Sequence, residues 1–469
     1  MAAPSELQLV LQKEWRSLAR DGRLRVLAVA LVALLLAALG SGWVTAQRWQ
    51  ADVAAASAQD RAAWLAQGAR NPHNAAHFGQ VAFKPAGVLA FFDPGISATV
   101  GSGVLMEAHN QNPAMLRAAE HGGGRLGGLP AAWLLQLGLP LLVVVAGCAM
   151  WAGERESGTL RLQLVQGGRW WPLLLGKALA LITVAAAIGL PLALGMFWAS
   201  GGGVRTALAL LAYSAYALVW VGLTLAVSAW AAQARTALAV LLALWLASTL
   251  VLPRVMADVA ERAHPSPLAQ AFWAEVRKAQ REGIDGHNAS DARAKALLQT
   301  TLQRYGVTDK AALPINFTGI AMQAGEEYGN QVFDRYYGAL WDTYAAQDWV
   351  RLGASLLSPL PALQALSQAA AGTDWQHHRH FVDAAEAHRR ALQRFLNDDF
   401  TVNAKGSDFD YRADPALWSQ APAWQYDRPK LGATASPVLP AAGVLALWLA
   451  VVAVMALAAA RRLVRAGGQ

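Results

Sequence analysis

The chain has 469 residues, of which 55% are hydrophobic and 15% are charged, and its mean hydropathy is +0.27. A typical soluble protein carries about 25% charged residues. This composition therefore excludes an ordinary soluble protein and favours a membrane protein with water-soluble parts. The single cysteine, Cys148, excludes an intramolecular disulfide, and it excludes zinc ribbons and iron–sulfur clusters, which need several thiolates.

The first 24 residues predict an amphipathic helix on a membrane surface. In SELQLVLQKEWRSLARDGRLRVL, one helical face carries the apolar side chains Leu7, Val10, Leu11, Trp15 and Leu18. The other faces carry most of the basic side chains, Lys13, Arg16, Arg20 and Arg23. This division is typical of a helix that lies in the plane of the lipid bilayer interface. A soluble amphipathic arm is the alternative.

Six stretches are long and apolar enough to cross a hydrocarbon core, which takes about 20 residues of helix. They are residues 25–46, 131–151, 174–199, 205–229, 236–253 and 437–460. The first is about twice as long as the apolar region of a signal peptide, so we predict a retained anchor. The sequence therefore predicts an all-α polytopic membrane protein with six transmembrane helices.

The distribution of Lys and Arg predicts the orientation. With the N-terminus inside, the inner pieces are the arm 1–24, the loop 152–173, the short loop 230–235 and the tail 461–469. Together with the span entrances they carry thirteen basic and five acidic residues, an excess that equals the whole net charge of +8. Inner loops are rich in Lys and Arg. We therefore predict a bacterial inner membrane protein with both termini cytoplasmic, and no nucleic-acid surface.

The two long segments, 47–130 and 254–436, are then extracytoplasmic. The first starts with a helix-like stretch and becomes loop-rich. The second is mostly helical by pattern: one helix is expected to begin at Ser290 and end at Gly306, and another to end before Pro359. A third is DWQHHRHFVDAAEAHRRALQRFLNDDF. This domain is long enough to bury a core of its own.

That third helix carries three neighbouring histidines, His377, His378 and His380. Histidine side chains bind copper and zinc, and His377 and His380 share one helical face. However, one helix does not complete a tetrahedral site, and the sequence has no HExxH motif. A solvated helix start is the favoured interpretation, and a metal site is the alternative.

The loop 152–173 differs from an ordinary membrane loop. Its charges, Glu154, Arg155 and Glu156, are followed by Gly158 as a helix break and then by Leu160 in a second amphipathic turn. A loop that docks onto a partner needs such charges and a short rigid helix, because it must transmit force. The alternative is a solvated helix end.

These two regions resemble ABC-2-type exporter permeases. EWRSLARDGRLRVL resembles the elbow helix of that family, and WAGERESGTLRLQLVQGGRWWPLLLGKALA is similar to its coupling-helix motif. The matching positions of the motif are Glu154, Glu156, Gly158, Thr159, Leu160, Arg169, Gly176 and Lys177. The two large outer segments depart from typical members, and they resemble an uncharacterised subgroup that is distantly grouped with permeases for copper-enzyme maturation.

The resemblance implies a permease subunit whose 154–169 segment is seated on a separate ATPase. ATP and Mg would bind to that ATPase, and the permease would pair with a second copy or with a sister permease. The implied activity is export, or force transmission to a periplasmic partner.

The chain itself is predicted to be non-catalytic and to bind no cofactor. The nearest approach to the phosphate-binding motif GxxxxGK[ST] is WPLLLGKAL, in which Trp171 replaces the first Gly and Ala178 replaces Ser or Thr. The six spans contain no acidic residue, which disfavours an ion-coupled transporter. The alternative function is a membrane-anchored extracytoplasmic binding or sensor protein without an ATPase.

Overall fold

The computed structural model describes residues 5–101, 103–107, 114–116, 129–283, 291–406, 408–434 and 436–467. Helices account for 79% of the structure, which confirms the predicted all-α class. The helices are α1 (Glu6–Arg20), α2 (Gly22–Leu65), α3 (Pro72–Ala76), α4 (Ala131–Gly147), α5 (Ala149–Glu156), α6 (Thr159–Val165), α7 (Trp170–Ser200), α8 (Val204–Trp230), α9 (Ala234–Leu246), α10 (Leu252–Ala263), α11 (Ala269–Arg281), α12 (Ala292–Tyr305), α13 (Phe317–Gly353), α14 (Pro359–Ala371), α15 (Trp375–Asn403), α16 (Leu417–Gln420) and α17 (Val438–Gly467).

In the described part of the chain, six helical units are long and apolar enough to cross a membrane. They are α2, α4 with α5, α7, α8, α9 with α10, and α17. Five of them contain a predicted span whole, and α17 begins one residue after the start of the predicted span 437–460. The six units pack as a bundle around one apolar core. We call the end of the bundle that carries α1, α6 and the last turns of α17 the basic end, and the opposite end the domain end.

Two of the spanning units are longer than the apolar stretches that predicted them. Helix α2 has 44 residues, or about 66 Å at 1.5 Å per residue, so it also contains the helix-like start of the first outer segment. Helix α9 continues through a π-helical turn, Ala247–Val251, into α10. The carbonyl of Ser248 in this turn accepts a hydrogen bond from the Ser358 hydroxyl at 3.2 Å.

Described parts of the two long segments, 47–130 and 254–436, pack together as one domain, which we call the outer domain after the predicted orientation. The indole of Trp64, near the end of α2, donates to the carbonyl of Trp418 at 2.9 Å, and the Trp418 indole donates to the carbonyl of Gly68 at 2.8 Å. The strands β1 (Gln80–Phe83), β2 (Gly103–Met106) and β3 (Ala114–Leu116) form an antiparallel sheet in the order β1-β2-β3. The buried side chains of this sheet pack on α15. The sequence did not predict these short strands.

The helical expectations for the second outer segment are largely confirmed. Helix α12 ends at Gly306 in the left-handed conformation, and α13 ends before Pro359. The expected N-cap, Ser290, lies outside the described residues, and Asp291 accepts the capping hydrogen bond from Arg293. A helix over most of DWQHHRHFVDAAEAHRRALQRFLNDDF is present as α15, with Asp374 as its N-cap.

Helix α14 departs from the predicted arrangement because it lies inside the bundle. Leu363 and Leu366 belong to the same buried core as the spanning helices, next to α8 and α17. The turn before α14 is bound to a spanning helix. Trp448, in the third turn of α17, donates its indole proton to the carbonyl of Ser355 at 2.7 Å. Thirteen residues are too few to cross a membrane. A search for long apolar stretches therefore left this segment in the predicted outer domain.

Candidate coupling site

Helix α1 lies along the first turns of α7 at the basic end. Ser5 and Gln8 form a reciprocal capping box that starts the helix. Gly176 permits the contact, since a Cβ atom there would lie 2.6 Å from Val10 Cγ1. The indole of Trp15 donates to the Thr183 hydroxyl at 2.9 Å. The predicted apolar face therefore packs on α7, while Arg16, Arg20 and Arg23 are exposed.

A group of four charges, three of them buried, joins α1, α5 and α7. Lys177 is fully buried, and its Nζ lies 2.6 Å from Glu14 Oε1, 2.8 Å from Glu154 Oε1 and 2.8 Å from the Met150 carbonyl. Lys13 completes the group by contacting both Glu14, at 3.0 Å, and Glu154. We call Lys13, Glu14, Glu154 and Lys177 the charge quartet.

The quartet is stable because each buried charge has partners of opposite sign, without which burial would cost several kcal/mol. Burial opposes the ionisation of Glu14, but the charges of Lys177 and Lys13 outweigh it and lower the pKa of Glu14. Burial, together with the charge of Lys177, lowers the pKa of Lys13. Lys177 Nζ also lies 4.9 Å from the ring centre of Trp151, a cation–π contact. The three helices are therefore fixed relative to one another.

We expect acid to loosen α1 from the bundle. Since the pKa of Glu14 is lowered in the folded state, its contribution to stability is present above the ordinary glutamate pKa and is lost as the pH falls through the lowered, folded pKa. The midpoint of thermal unfolding should therefore fall on acidification, and Glu14→Gln should flatten this part of the profile. Asp52→Asn, at an exposed position of α2, is the control. A Glu14→Gln profile with the wild-type slope would contradict the assignment.

The other two charges of the loop hold the turn between α8 and α9. Arg155 donates to the carbonyls of Ala229 at 2.6 Å and Ala231 at 2.8 Å, at the carboxyl end of α8. Glu156 accepts from the backbone N–H of Ala234 at 3.2 Å, at the amino end of α9. The positive charge of Arg155 at the carboxyl end of α8 and the negative charge of Glu156 at the amino end of α9 both interact favourably with the helix dipoles. These two residues therefore contact further parts of the same chain.

Helix α6 packs one face on the bundle and leaves the other face exposed. Gly158 adopts φ +74° between α5 and α6, as expected for the predicted helix break, and Leu160 is buried. Arg169 donates its backbone and side-chain N–H groups to Glu6, at 2.7 and 3.2 Å. Leu162 and Val165 are 63% and 78% exposed. We call the exposed residues Arg161, Leu162, Val165 and Gln166 the α6 face.

The structure thus divides the residues predicted for coupling into two groups. Glu154 and Lys177 are buried inside the chain and position the loop, whereas Thr159 and Arg169 are exposed. The α6 face itself was not among the predicted residues. Sequence reasoning missed Lys13 and Glu14 as members of the site. A signal for Glu14 was present, because it lies one helical turn from both Val10 and Leu18, on the apolar face of α1.

The three histidines of α15 do not converge. His377 Nδ1 lies 2.7 Å from Asp374 Oδ1, while His380 is exposed and lies 3.0 Å from the Tyr426 hydroxyl. His378 is buried, and burial together with the charge of Lys84 lowers its pKa to about 4. Among the described residues, no group of three His, Cys, Asp or Glu side chains is arranged to hold a metal ion.

Comparison with known proteins bears on the outer domain rather than on this site. A family model described as "Domain of unknown function (DUF3526)" matches residues 269–427. The match covers about a third of the chain, from α11 to the segment after α16. No curated protein sequence matches the chain. The match therefore includes neither the charge quartet nor α6.

Proposed function

We propose that the chain is the transmembrane permease subunit of an ATP-binding cassette transporter, docked through the α6 face to a separate ATPase that binds ATP and Mg. The observation that carries the proposal is the exposure of Leu162 and Val165 on a short helix at the basic end. An exposed pair of large apolar side chains next to basic and amide groups suits a protein partner.

The contacts around α6 support a role in force transmission. The charge quartet joins α5 to α1 and α7. Arg155 and Glu156 connect α5 to the turn between α8 and α9. A push on α6 therefore reaches several spanning helices through short, mostly buried polar contacts. Such contacts have discrete arrangements, so they transmit displacement better than a mobile loop does.

In this proposal the basic end faces the cytoplasm of a bacterial inner membrane, both termini lie there, and α1 is the elbow helix at the bilayer surface. The outer domain faces the periplasm. Arg205, at the domain end of α8, donates to the carbonyls of Ala369 at 2.7 Å and Pro429 at 2.8 Å. This link supports both export and force transmission to a periplasmic partner. The chain contributes no catalytic residue or cofactor, and it pairs with a second copy or a sister permease.

We expect Leu162→Asp combined with Val165→Asp to abolish co-purification of a co-expressed candidate ABC-type ATPase. Both side chains are exposed, so the yield and the unfolding temperature of the permease should stay at wild-type values. Ser17→Asp, at an exposed position of α1, adds one negative charge elsewhere at the basic end and should leave the complex intact.

Two outcomes would overturn the proposal in different ways. If the ATPase binds wild type and the double variant equally, the α6 face is not its docking site. If no ATPase of this class binds the wild-type chain, the alternative function, a membrane-anchored binding or sensor protein, takes its place.

A further inference from the structure

The first outer segment enters the domain end of the bundle. Leu89 and Phe92 are buried in the core that the spanning helices share. The carbonyl of Phe92 accepts from the backbone N–H of Ala132, at the start of α4, at 3.1 Å. Gly87 lies directly against the end of α14, since a Cβ atom there would be 2.1 Å from the carbonyl oxygen of Ala371. The segment is therefore docked between α4 and α14.

This docking places a carboxyl group, Asp93, at the end of a chain of hydrogen bonds inside the bundle. Gln136 Nε2 donates to the Tyr213 hydroxyl at 2.9 Å, and the Tyr213 hydroxyl lies 3.2 Å from the Ser367 hydroxyl. Ser367 donates to Asp93 Oδ2. Tyr213 lies about 13 Å along α8 from Val204, so the chain runs well below the domain end. It connects α4, α8 and α14 to the first outer segment.

The charged groups near Asp93 are engaged elsewhere. On the start of α8, Arg205 binds backbone carbonyls, and ahead of α15, Asp374 pairs with His377. On the same segment as Asp93, Lys84 contacts Ser97 at 3.3 Å. Of the groups that face Asp93 directly, Tyr213 is titratable and Ser367 is neutral. Within the described ranges, no ion pair is formed by Asp93.

Asp93 is 6% exposed, and its other oxygen accepts one hydrogen bond, from the backbone N–H of Gly95 at 3.0 Å. For an ionised carboxylate with two hydrogen bonds and no counter-charge, most of the free-energy cost of desolvation is not offset. Burying the protonated carboxyl costs far less free energy. This form can also donate to the Ser367 hydroxyl, whose own proton then points towards Tyr213. The geometry therefore favours the neutral acid when the segment is docked.

We propose that Asp93 is a proton-binding site that fastens the first outer segment to the spanning bundle, with the protonated carboxyl as the docked form. This inference does not depend on an ATPase partner. Burial raises the pKa of Asp93, so the docked state binds its proton more tightly than an undocked, solvated state does. Docking is therefore strengthened as the pH falls through the docked pKa and weakened as the pH rises through it.

The test is hydrogen exchange of residues 86–97 in the full chain, reconstituted in lipid nanodiscs and followed between about pH 5 and pH 8. After correction for the chemical exchange rate, the wild-type rate should rise by up to about tenfold per pH unit between the ordinary aspartate pKa and the raised, docked pKa, and it should level off above the docked pKa. Asp93→Asn keeps the shape and removes the charge, so it should stay at the slow, acidic rate throughout. Asp52→Asn, on an exposed part of α2, should follow the wild type.

A second variant separates this role from a purely structural one. Ser367→Ala removes a donor that favours the ionised carboxylate, so the midpoint of the exchange profile should move to higher pH. Loosening at every pH without a shifted midpoint would overturn the proposal. A pH-independent wild type, or an Asp93→Asn profile like that of the wild type, would overturn it as well. If the Asp93→Asn profile follows the wild type, Lys84, whose pKa burial lowers to about 8, would be the titrating group.

Discussion

Replacing Lys177 with methionine is expected to destabilise the bundle by about 3–5 kcal/mol, the usual cost of removing one partner from a buried ion pair. The change leaves Glu14 and Glu154 in a buried site with Lys13 as their remaining cation, and the Lys13 side chain is 47% exposed. Methionine fills the volume of the lysine stem, so the loss comes from the stranded carboxylates and not from a cavity.

Thermal unfolding in detergent, together with the yield of monodisperse protein, measures this loss. Lys177→Met should unfold well below the wild-type temperature. Adding Glu14→Gln restores charge balance in the site and should recover much of the loss. Lys13→Met should cost roughly 1 kcal/mol or less, because water screens an exposed partner. A Lys177→Met protein as stable as the wild type, or a double variant no better than the single one, would show that the quartet does not hold α1, α5 and α7 together.

The quartet changes how coupling variants are interpreted. Since Glu154 is buried, a Glu154→Ala protein that loses its ATPase reports a displaced α5 and α6, and not a lost contact with the partner. Leu162 and Val165, by contrast, are mostly exposed. Under the proposed function, quartet variants should lower both the unfolding temperature and ATPase binding, whereas α6-face variants should lower ATPase binding alone. This division distinguishes the residues that position the coupling helix from those that contact the partner.

The sequence predicted the spanning helices because hydropathy and length are properties of single segments. Each predicted span lies, to within one residue, in one of the six apolar helical units, and the helix break is at the predicted position, Gly158. The amphipathic face of α1 was predicted for the same reason. Features that depend on one segment, such as periodicity and helix breaks, were therefore accessible without a structure.

The charge quartet was not accessible in this way, because it depends on how three helices pack. Lys177 and Glu14 are 163 residues apart, and no local pattern records their distance in space. The 13 residues of α14 have the length of an ordinary core helix, and only contact with α8 and α17 places them inside the bundle. Asp93 shows the same limit: the six predicted spans contain no acid, yet the first outer segment carries one into the bundle.

The second large effect is expected at Gly42, where α2 meets the docked outer segment. A Cβ atom at this position would lie 2.1 Å from the carbonyl oxygen of Phe91. Because that atom is backbone within a buried segment, it cannot turn aside as a flexible side chain would. Gly42→Ala should therefore displace residues 88–93 from α2 and cost about 3 kcal/mol, the upper end of the usual overpacking range.

Gly40 provides the matched control, since it lies on the same helix two residues earlier and a Cβ atom there would meet nothing within 4 Å. Gly40→Ala should be neutral, or stabilising by up to about 1 kcal/mol, because alanine favours a helix over glycine. Hydrogen exchange of residues 86–97 distinguishes the two variants: Gly42→Ala should raise the rate even at acidic pH, where protonated Asp93 favours docking. Equal, slow exchange in both variants would mean that α2 shifts to accommodate the methyl group, and that α4 and α14 alone hold the outer segment in place.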